Sequence, residues 1–307
     1  MNNIAIAIHG GAGTILKEDM TDELYQRYYD GLQKALNDGM NILTSGGSCV
    51  DAVEAAVVSL EDNPLFNAGR GAVFNYEGKH EMDACIMDGR TLNAGAVCGV
   101  SNVRNPVKLA REIMKEGRYV LLSGKGAEDF ARQCRQQFEE DSYFADELRY
   151  KQWQEAKKAN RTQLDHTGKK FGTVGAVARD AIGNLAAATS TGGLTNKQFG
   201  RIGDTPIVGA GTYANMLCAI SCTGEGEFFL RAVTAYDVAC LMNYKGLSLH
   251  DACNTVILEK MVQLGGEGGL IAVDSAGNTE MIFNSAGMYR ACADVNGKLE
   301  IKIYKND

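Results

Sequence analysis

The stretch that most constrains this chain is Phe171-Gly172-Thr173-Val174-Gly175-Ala176-Val177-Ala178. From Thr173 on, β-branched and small residues read as a buried strand. A turn over 180–184 and a second apolar run, Leu185 to Ala188, complete a hairpin. A threonine opening a core strand is ordinary. Here it follows a glycine and a long hydrophilic segment, so a cut between Gly172 and Thr173 would make Thr173 a new N-terminus. Its hydroxyl would then lie beside its own free amine, giving a nucleophile with a built-in base. Taken alone, the octapeptide fits a plain strand residue better than a nucleophile, and the rest of the chain decides between them.

A chain of 307 residues can bury a large core in one domain or two small ones. With a formal charge of -7 it offers no basic face, so no nucleic-acid partner is expected. No apolar run approaches membrane-spanning length, and the N-terminus lacks the charged start and long apolar run of a secretory signal. Nine cysteines, an odd number without a CxxC, argue for reduced thiols and a cytoplasmic enzyme. Cys218 and Cys222 alternate in phase on a strand-like run and read as core. Only four histidines make a zinc site improbable. The 36 glycines imply many places where backbone approaches something closely or takes positive φ.

In chain order, Ile4–Ile8 reads as a strand entering a glycine turn, His9-Gly10-Gly11-Ala12-Gly13, with His9 a structural hydrogen-bonding residue rather than a catalytic one. Helices are expected from Thr21 to Gly46 and over Cys49–Glu61, the second capped by Ser48. The loop Leu65–Phe74 is too apolar for a solvated linker. Strands follow at Glu81–Met87 and Ala94–Val100, a helix at Pro106–Glu116, a strand at Tyr119–Ser123 and a helix at Lys125–Phe138. The charged segment 139–170 leaves room for a short helix near Trp153, and Asn160–Lys170 reads as a mobile loop. Beyond the hairpin, strands are expected at Ile207–Val208 and Ala219–Cys222, helices at Glu227–Met242 and Leu249–Leu264, and two closing strands at Leu270–Val273 and Glu280–Phe283. The alternation suggests sheets covered by helix layers.

No nucleophile elbow and no phosphate-binding loop is present. Gly209-Ala-Gly211-Thr-Tyr-Ala214 matches G-x-G-x-x-A, but no strand-helix-strand unit with a downstream acid surrounds it. A stronger constellation is Thr173, Thr191, Arg201, Asp204 and Thr223-Gly224-Glu225-Gly226. Thr191 can orient the Thr173 hydroxyl. Arg201 and Asp204, three apart between glycines, suit an α-amino-acid head: guanidinium on the carboxylate, carboxylate on the ammonium. The competing reading is a surface ion pair of little worth. Thr223-Gly224 ends a strand before a helix and suits an oxyanion hole, or else a plain helix cap.

The series Ile8–Gly13, Pro64–Phe74, Met82–Gly89, Gly172–Ala178, Ala188–Gly193, Gly200–Asp204 and Ser221–Glu227 resembles the plant-type (type III) L-asparaginase / isoaspartyl aminopeptidase family across essentially the whole chain. The last four segments are specific in combination. The resemblance implies an α+β N-terminal nucleophile (Ntn) hydrolase: a single domain over 1–307 forming a four-layer αββα sandwich. It implies self-cleavage at Gly172-Thr173 into an α subunit, 1–172, and a β subunit, 173–307, and a homodimer of processed protomers, (αβ)2. Thr173 becomes the nucleophile, Thr191 its hydroxyl neighbour, and Thr223 and Gly224 the oxyanion hole. Arg201 and Asp204 take the substrate's α-carboxylate and α-amine, Gly226 adds a contact through its carbonyl, and Asn67 lies beside the site. No cofactor is implied for catalysis. A structural alkali-metal ion, sodium, is implied in the loop Leu60–Arg70, on carbonyls of Leu60, Glu61, Asn63, Phe66, Ala68 and Arg70. The activity implied is hydrolysis of the side-chain amide of asparagine and of β-aspartyl dipeptides. A glycosylasparaginase shares fold and nucleophile but is disfavoured by the absent signal and disulfide pattern; a non-cleaving amino-acid-binding homologue is the rival from another class.

Overall fold

Alternation along one strand organises the molecule. In β1 (Ala5–Gly13), Ile6 and Ile8, with Ile4 just before it, face one core, while Ala5 and Ala7 face another. The computed structural model describes residues 3–15, 17–159 and 172–306; the loop expected over Asn160–Lys170, and Phe171, lie outside them. On the isoleucine side lie α1 (Asp22–Thr44) and α2 (Cys49–Glu61). Thr21 caps α1, its side chain accepting from the Leu24 amide, and Ser48 caps α2 by accepting from Asp51; each cap contributes about 1 kcal/mol. Tyr28, Leu32, Ala35, Leu36 and Leu43 give α1 a buried stripe. Gly39 interrupts that stripe where a Cβ would stand 2.4 Å from Ile6 Cδ1, so glycine sets how closely helix and strand approach.

The chain continues through β2 (Met82–Asp88), β3 (Ala94–Val100), α3 (Pro106–Glu116), β4 (Leu121–Ser123), α4 (Gly124–Gln133), α5 (Asp141–Phe144) and α6 (Glu147–Lys158). Past the undescribed segment come β5 (Val174–Arg179), β6 (Leu185–Thr191), β7 (Thr212–Ala214) and β8 (Cys218–Gly224), then α7 (Gly226–Ala232) and α8 (Thr234–Lys245). Next are α9 (Leu249–Asn254), a π-helical segment (Thr255–Lys260) and α10 (Met261–Leu264). The chain closes with β9 (Gly268–Asp274), β10 (Thr279–Phe283), β11 (Gly287–Asp294) and β12 (Leu299–Tyr304).

Helices and sheets are mixed as an α+β protein. One sheet has the order β12-β11-β1-β5-β6-β2-β3-β4, antiparallel except for β3 with β4; the other has the order β10-β9-β8-β7. Three apolar clusters fill the spaces. The largest joins α1, α2 and α3 to one face of the large sheet. A second joins α8 and α9 to β8 and β9. The third lies between residues of both sheets and is dominated by small side chains: Ala5, Ala7, Val177, Ala187, Ala219 and Val273. Small residues let two sheets approach closely, with the inward faces interdigitating.

Several sequence expectations need correction. The segment His9–Gly13 is not a turn: it continues β1, with a register shift between His9 and Gly11 where Gly11 takes φ +114. The helix expected over Glu227–Met242 is two, broken at Val233, a β-branched residue in the left-handed region at φ 50. The helix over Leu249–Leu264 is continuous but widens to a π segment in its middle. The helix from Lys125 stops at Gln133, before left-handed Arg135. Ile207–Val208 is not a strand; Val208 makes only an isolated bridge to Thr212. Behind Gly209-Ala-Gly211 stands β7 rather than a helix, so no helix N-terminus is available there for a dinucleotide pyrophosphate. Strands β11 and β12 were not foreseen, because Arg290, Asp294, Lys298, Glu300 and Lys302 mask the alternation that their buried neighbours carry.

Candidate active site

The site gathers where strands of both sheets end. Thr173 immediately precedes β5, and Thr191 ends β6, its antiparallel partner, in a register that sets Val174 opposite Ser190. The two hydroxyls meet at 3.2 Å, Thr173 donating, and both residues are buried. Thr223, near the end of β8, accepts the Ala12 amide at 3.2 Å through Oγ1. That leaves the Thr223 hydroxyl hydrogen for something else. Gly172 is wedged into this corner: a Cβ on it would stand 2.9 Å from both Gly11 Cα and Thr223 Oγ1. A Cβ on Gly11 would meet Gly172 N at 2.4 Å. Only glycine at both places allows the bond before Thr173 to lie against β1.

A cavity opens beside these groups, lined among others by Gly11, Asn67, Gly172, Thr173, Thr191, Arg201, Asp204 and Gly224. Thr223 and Gly226 are not on its wall. Thr223 lies behind Gly172, and Gly226 backs the pair it was expected to assist: a Cβ there would stand 2.8 Å from Arg201 Nη2 and 2.9 Å from Asp204 Oδ1. Asn67 serves as a brace. Its amide nitrogen donates to Gly193 O at 2.8 Å, its Oδ1 accepts from Val73 N at 3.1 Å, and its carbonyl accepts from Gly192 N at 3.0 Å.

Arg201 is not paired with Asp204. Nε and Nη2 form a two-pronged bond to Glu227, both at 2.8 Å, which leaves Nη1 for another partner. Glu227 was not identified as a site residue from sequence, although it ends the quoted motif Ser221–Glu227; its distance of 26 positions from Arg201 hides the pairing. Asp204 is buried, and its Oδ2 has no hydrogen-bond partner among the described residues. Burial raises its carboxyl to about 7, only partly opposed by its own amide and by the charge of Arg201. An acid raised in the folded state stabilises fully below its unfolded pKa and loses that contribution as pH rises from about 4 to about 7. Asp204→Asn removes this titration. The variant should therefore resist denaturant better than wild type at pH 8, on the order of a few kcal/mol, with the gap closing as pH falls toward 4. Denaturant midpoints at pH 4.5, 6 and 8 measure this, and a gap independent of pH would contradict it.

The loop Leu60–Arg70 lies next to the site through Phe66, whose ring packs against Gly10 and edge-on to Tyr28 and Tyr289. Its backbone coils on itself. A Cβ on Gly69 would stand 2.6 Å from Glu61 O, and one on Gly71 would stand 2.0 Å from Phe66 O. The carbonyls of Leu60, Asn63, Phe66 and Ala68 accept the amides of Asn63, Phe66, Ala68 and Gly71 at 2.9 to 3.2 Å; each carbonyl oxygen keeps a second lone pair, the kind of donor a hard monovalent cation takes. Arg70 places its guanidinium over the Tyr143 ring at 5.3 Å. Glu61 has a second role not foreseen. Its buried Oε1 accepts from Ser190 Oγ at 2.6 Å and from Val107 N at 3.0 Å, and burial pushes its carboxyl up to about 8. It ties the loop to the residue beside Thr191. His9, the expected hydrogen-bonding residue, is fully buried and contacts Thr173 O at 2.9 Å and Ser221 Oγ at 2.8 Å.

The family model described as "Asparaginase" matches residues 2–303. An isoaspartyl peptidase of Salmonella typhimurium is 54% identical over 298 residues, covering 95% of each chain. The isoaspartyl peptidase of Escherichia coli K12 is 52% identical, covering 95% of this chain and 93% of that one. A plant-type L-asparaginase of Pyrococcus horikoshii is 44% identical, covering 93% and 94%. Matched in this way along nearly its whole length, the chain belongs to the asparaginase family.

Proposed function

We propose that this chain is a threonine-nucleophile amidohydrolase that cleaves the side-chain amide of asparagine and the isopeptide bond of β-aspartyl dipeptides. The observation that carries the reading is the meeting of the Thr173 and Thr191 hydroxyls at 3.2 Å, with Gly172 seated against Thr223 and with Arg201 and Asp204 on the same cavity wall. The three apolar clusters support a single-domain four-layer αββα sandwich. Cleavage between Gly172 and Thr173 would divide the protein into segments 1–172 and 173–307, which we expect to assemble as a homodimer of cut protomers. No described helix is long and apolar enough to cross a membrane, and all nine cysteines are unpaired; a reducing cytoplasm fits the thiols.

In the proposed mechanism the freed α-amine of Thr173, with an ordinary pKa of about 8, takes the proton from its own Oγ. Oγ then attacks the substrate's side-chain carbonyl. The Thr223 hydroxyl, whose oxygen already accepts from Ala12, has its hydrogen available for the developing oxyanion, and the Gly224 amide is the second donor. Ammonia or an amino acid leaves, and water releases aspartate. The Nη1 edge of Arg201 takes the α-carboxylate, and Asp204, charged again once an ammonium faces it, takes the α-amine. The carbonyls of Leu60, Glu61, Asn63, Phe66, Ala68 and Arg70 would hold a sodium ion that stiffens the loop bearing Asn67 and takes no part in the chemistry.

The test is mass spectrometry of the purified protein with assays on both substrates. Two chains meeting at 172/173, and release of ammonia from asparagine and of leucine from β-Asp-Leu, are expected. One uncut chain with neither activity would favour a binding homologue instead.

A further inference from the structure

The interface between the sheets is mostly alanine and valine, yet it contains a file of polar side chains drawn from both sheets. His9 comes from β1, Thr189 from β6, Thr212 from β7 and Ser221 from β8, and all four are fully buried. They connect without a gap: Thr173 O to His9 Nδ1 at 2.9 Å, His9 Nε2 to Ser221 Oγ at 2.8 Å, Ser221 Oγ to Thr189 Oγ1 at 2.7 Å, and Thr189 Oγ1 to Thr212 Oγ1 at 2.6 Å.

Counting hydrogens gives the file one direction. A carbonyl oxygen only accepts, so Nδ1 carries the imidazole hydrogen. A histidine this buried is neutral, desolvation pressing its pKa down to about 3, so Nε2 is a lone pair. Ser221 must therefore donate to Nε2. Its single hydrogen is then committed, so Thr189 donates to Ser221 at 2.7 Å rather than to Gly211 O at 3.4 Å, and Thr212 donates to Thr189 at 2.6 Å rather than to Thr205 O at 3.1 Å. Every donor points toward Thr173. The opposite tautomer would set two lone pairs against each other at 2.9 Å.

We propose that Ser221 and Thr189 are positioning residues that lock His9 in its Nδ1–H tautomer, and that this imidazole holds the backbone of Thr173 in place once the chain is cut. The proposal rests on the reading of Thr173 as nucleophile. Residue 173 stands outside β5, which begins at Val174, so cutting the bond to Gly172 leaves it as a strand terminus. Such termini fray unless tied down. Among the described residues, the hydrogen bonds that then hold Thr173 are its hydroxyl bond to Thr191 and its carbonyl bond to His9, and of these the second is the one on the main chain that carries both amine and Oγ. Room for the lock comes from Gly175, the cross-strand partner of His9, where a Cβ would stand 2.0 Å from Ser221 Oγ and 2.6 Å from His9 Nε2.

The decisive comparison is His9→Asn against His9→Gln in the matured enzyme. The asparagine amide reaches the Nδ1 position and can donate to Thr173 O; the glutamine amide reaches only the Nε2 position. His9→Asn should keep kcat within about tenfold of wild type, whereas His9→Gln should lose about 100-fold, the scale of a misplaced reacting group, each with KM within about twofold. Equal kcat in the two variants, or losses that follow Tm, would overturn the proposal. If neither variant matures, Thr189→Val against Thr189→Ser decides: a roughly tenfold kcat loss restored by serine is expected, and wild-type kcat in Thr189→Val overturns it. Nitrogen NMR of the histidine rings in wild type gives a readout free of substrate. A neutral His9 with hydrogen on Nδ1 is expected, and hydrogen on Nε2 refutes the lock. Wild type inactive on both asparagine and β-Asp-Leu would instead count against the nucleophile, and the tautomer would still be decided by NMR.

Discussion

Thr173→Ala is expected to yield one uncut chain of full length and no hydrolysis of asparagine or β-Asp-Leu above background. The substitution removes a single hydroxyl that serves twice. In the precursor it is the group that can take the acyl from Gly172, and in the cut enzyme it is the nucleophile. The nearest other hydroxyl, on Thr191, is 3.2 Å away at the end of β6 and has no free amine beside it to act as base. Loss of a nucleophile typically costs at least about 10⁴-fold in kcat. Stability should change far less. The side chain lost makes one hydrogen bond, worth about 1 kcal/mol, so the denaturant midpoint should fall only slightly. That contrast separates a chemical role from a structural one. Thr173→Ser, which keeps the hydroxyl, should still cut. Two chains in Thr173→Ala after prolonged incubation would show that another group, or a protease, makes the cut.

β-Asp-Leu should be hydrolysed at least as efficiently as asparagine, and α-Asp-Leu hardly at all. Glu227 grips Nε and Nη2 of Arg201, so the guanidinium cannot swing to follow a misplaced partner. Buried Asp204 lines the same cavity wall as Arg201. An α-aspartyl peptide uses up its α-carboxylate in the amide bond. Arg201 would then face a neutral carbonyl and lose a charge-assisted bond. With its charge still paired to Glu227, losing that one bond costs on the order of 1.5–3 kcal/mol, equivalent to roughly ten- to hundredfold in rate. Arg201→Lys should erode the preference while leaving self-cleavage intact, because lysine keeps the charge but loses the planar fork that Glu227 holds. Kinetics on α-Asp-Leu, β-Asp-Leu and asparagine, side by side, measure it. Comparable rates on the two dipeptides would remove the clamp from the argument even with Thr173 as nucleophile.

Local chemistry determined a good deal of this protein in advance. The helices Cys49–Glu61 and Pro106–Glu116 and the strand Ala94–Val100 were readable with their starts placed and the helix ends close, because a cap or a proline marks each helix start and an apolar run the strand. The strand that begins after Gly172-Thr173 was readable from its β-branched and small residues, while the octapeptide alone read as ordinary strand. Other features depended on partners far along the chain. Arg201 reads as a free ligand until Glu227, 26 positions on, takes two of its nitrogens. Asp204 reads as an ordinary carboxylate until burial between Gly211 and Gly226 lifts its pKa to about 7. Val233 carries no breaker signal; the helix turns there because the chain must leave α7 to lay α8 on the small sheet. The direction of the file from Thr212 to Thr173 appears in no segment at all. Which atom of His9 carries a hydrogen depends on the Thr173 carbonyl and the Ser221 hydroxyl, brought to it by strands of two sheets away from water that could satisfy either tautomer.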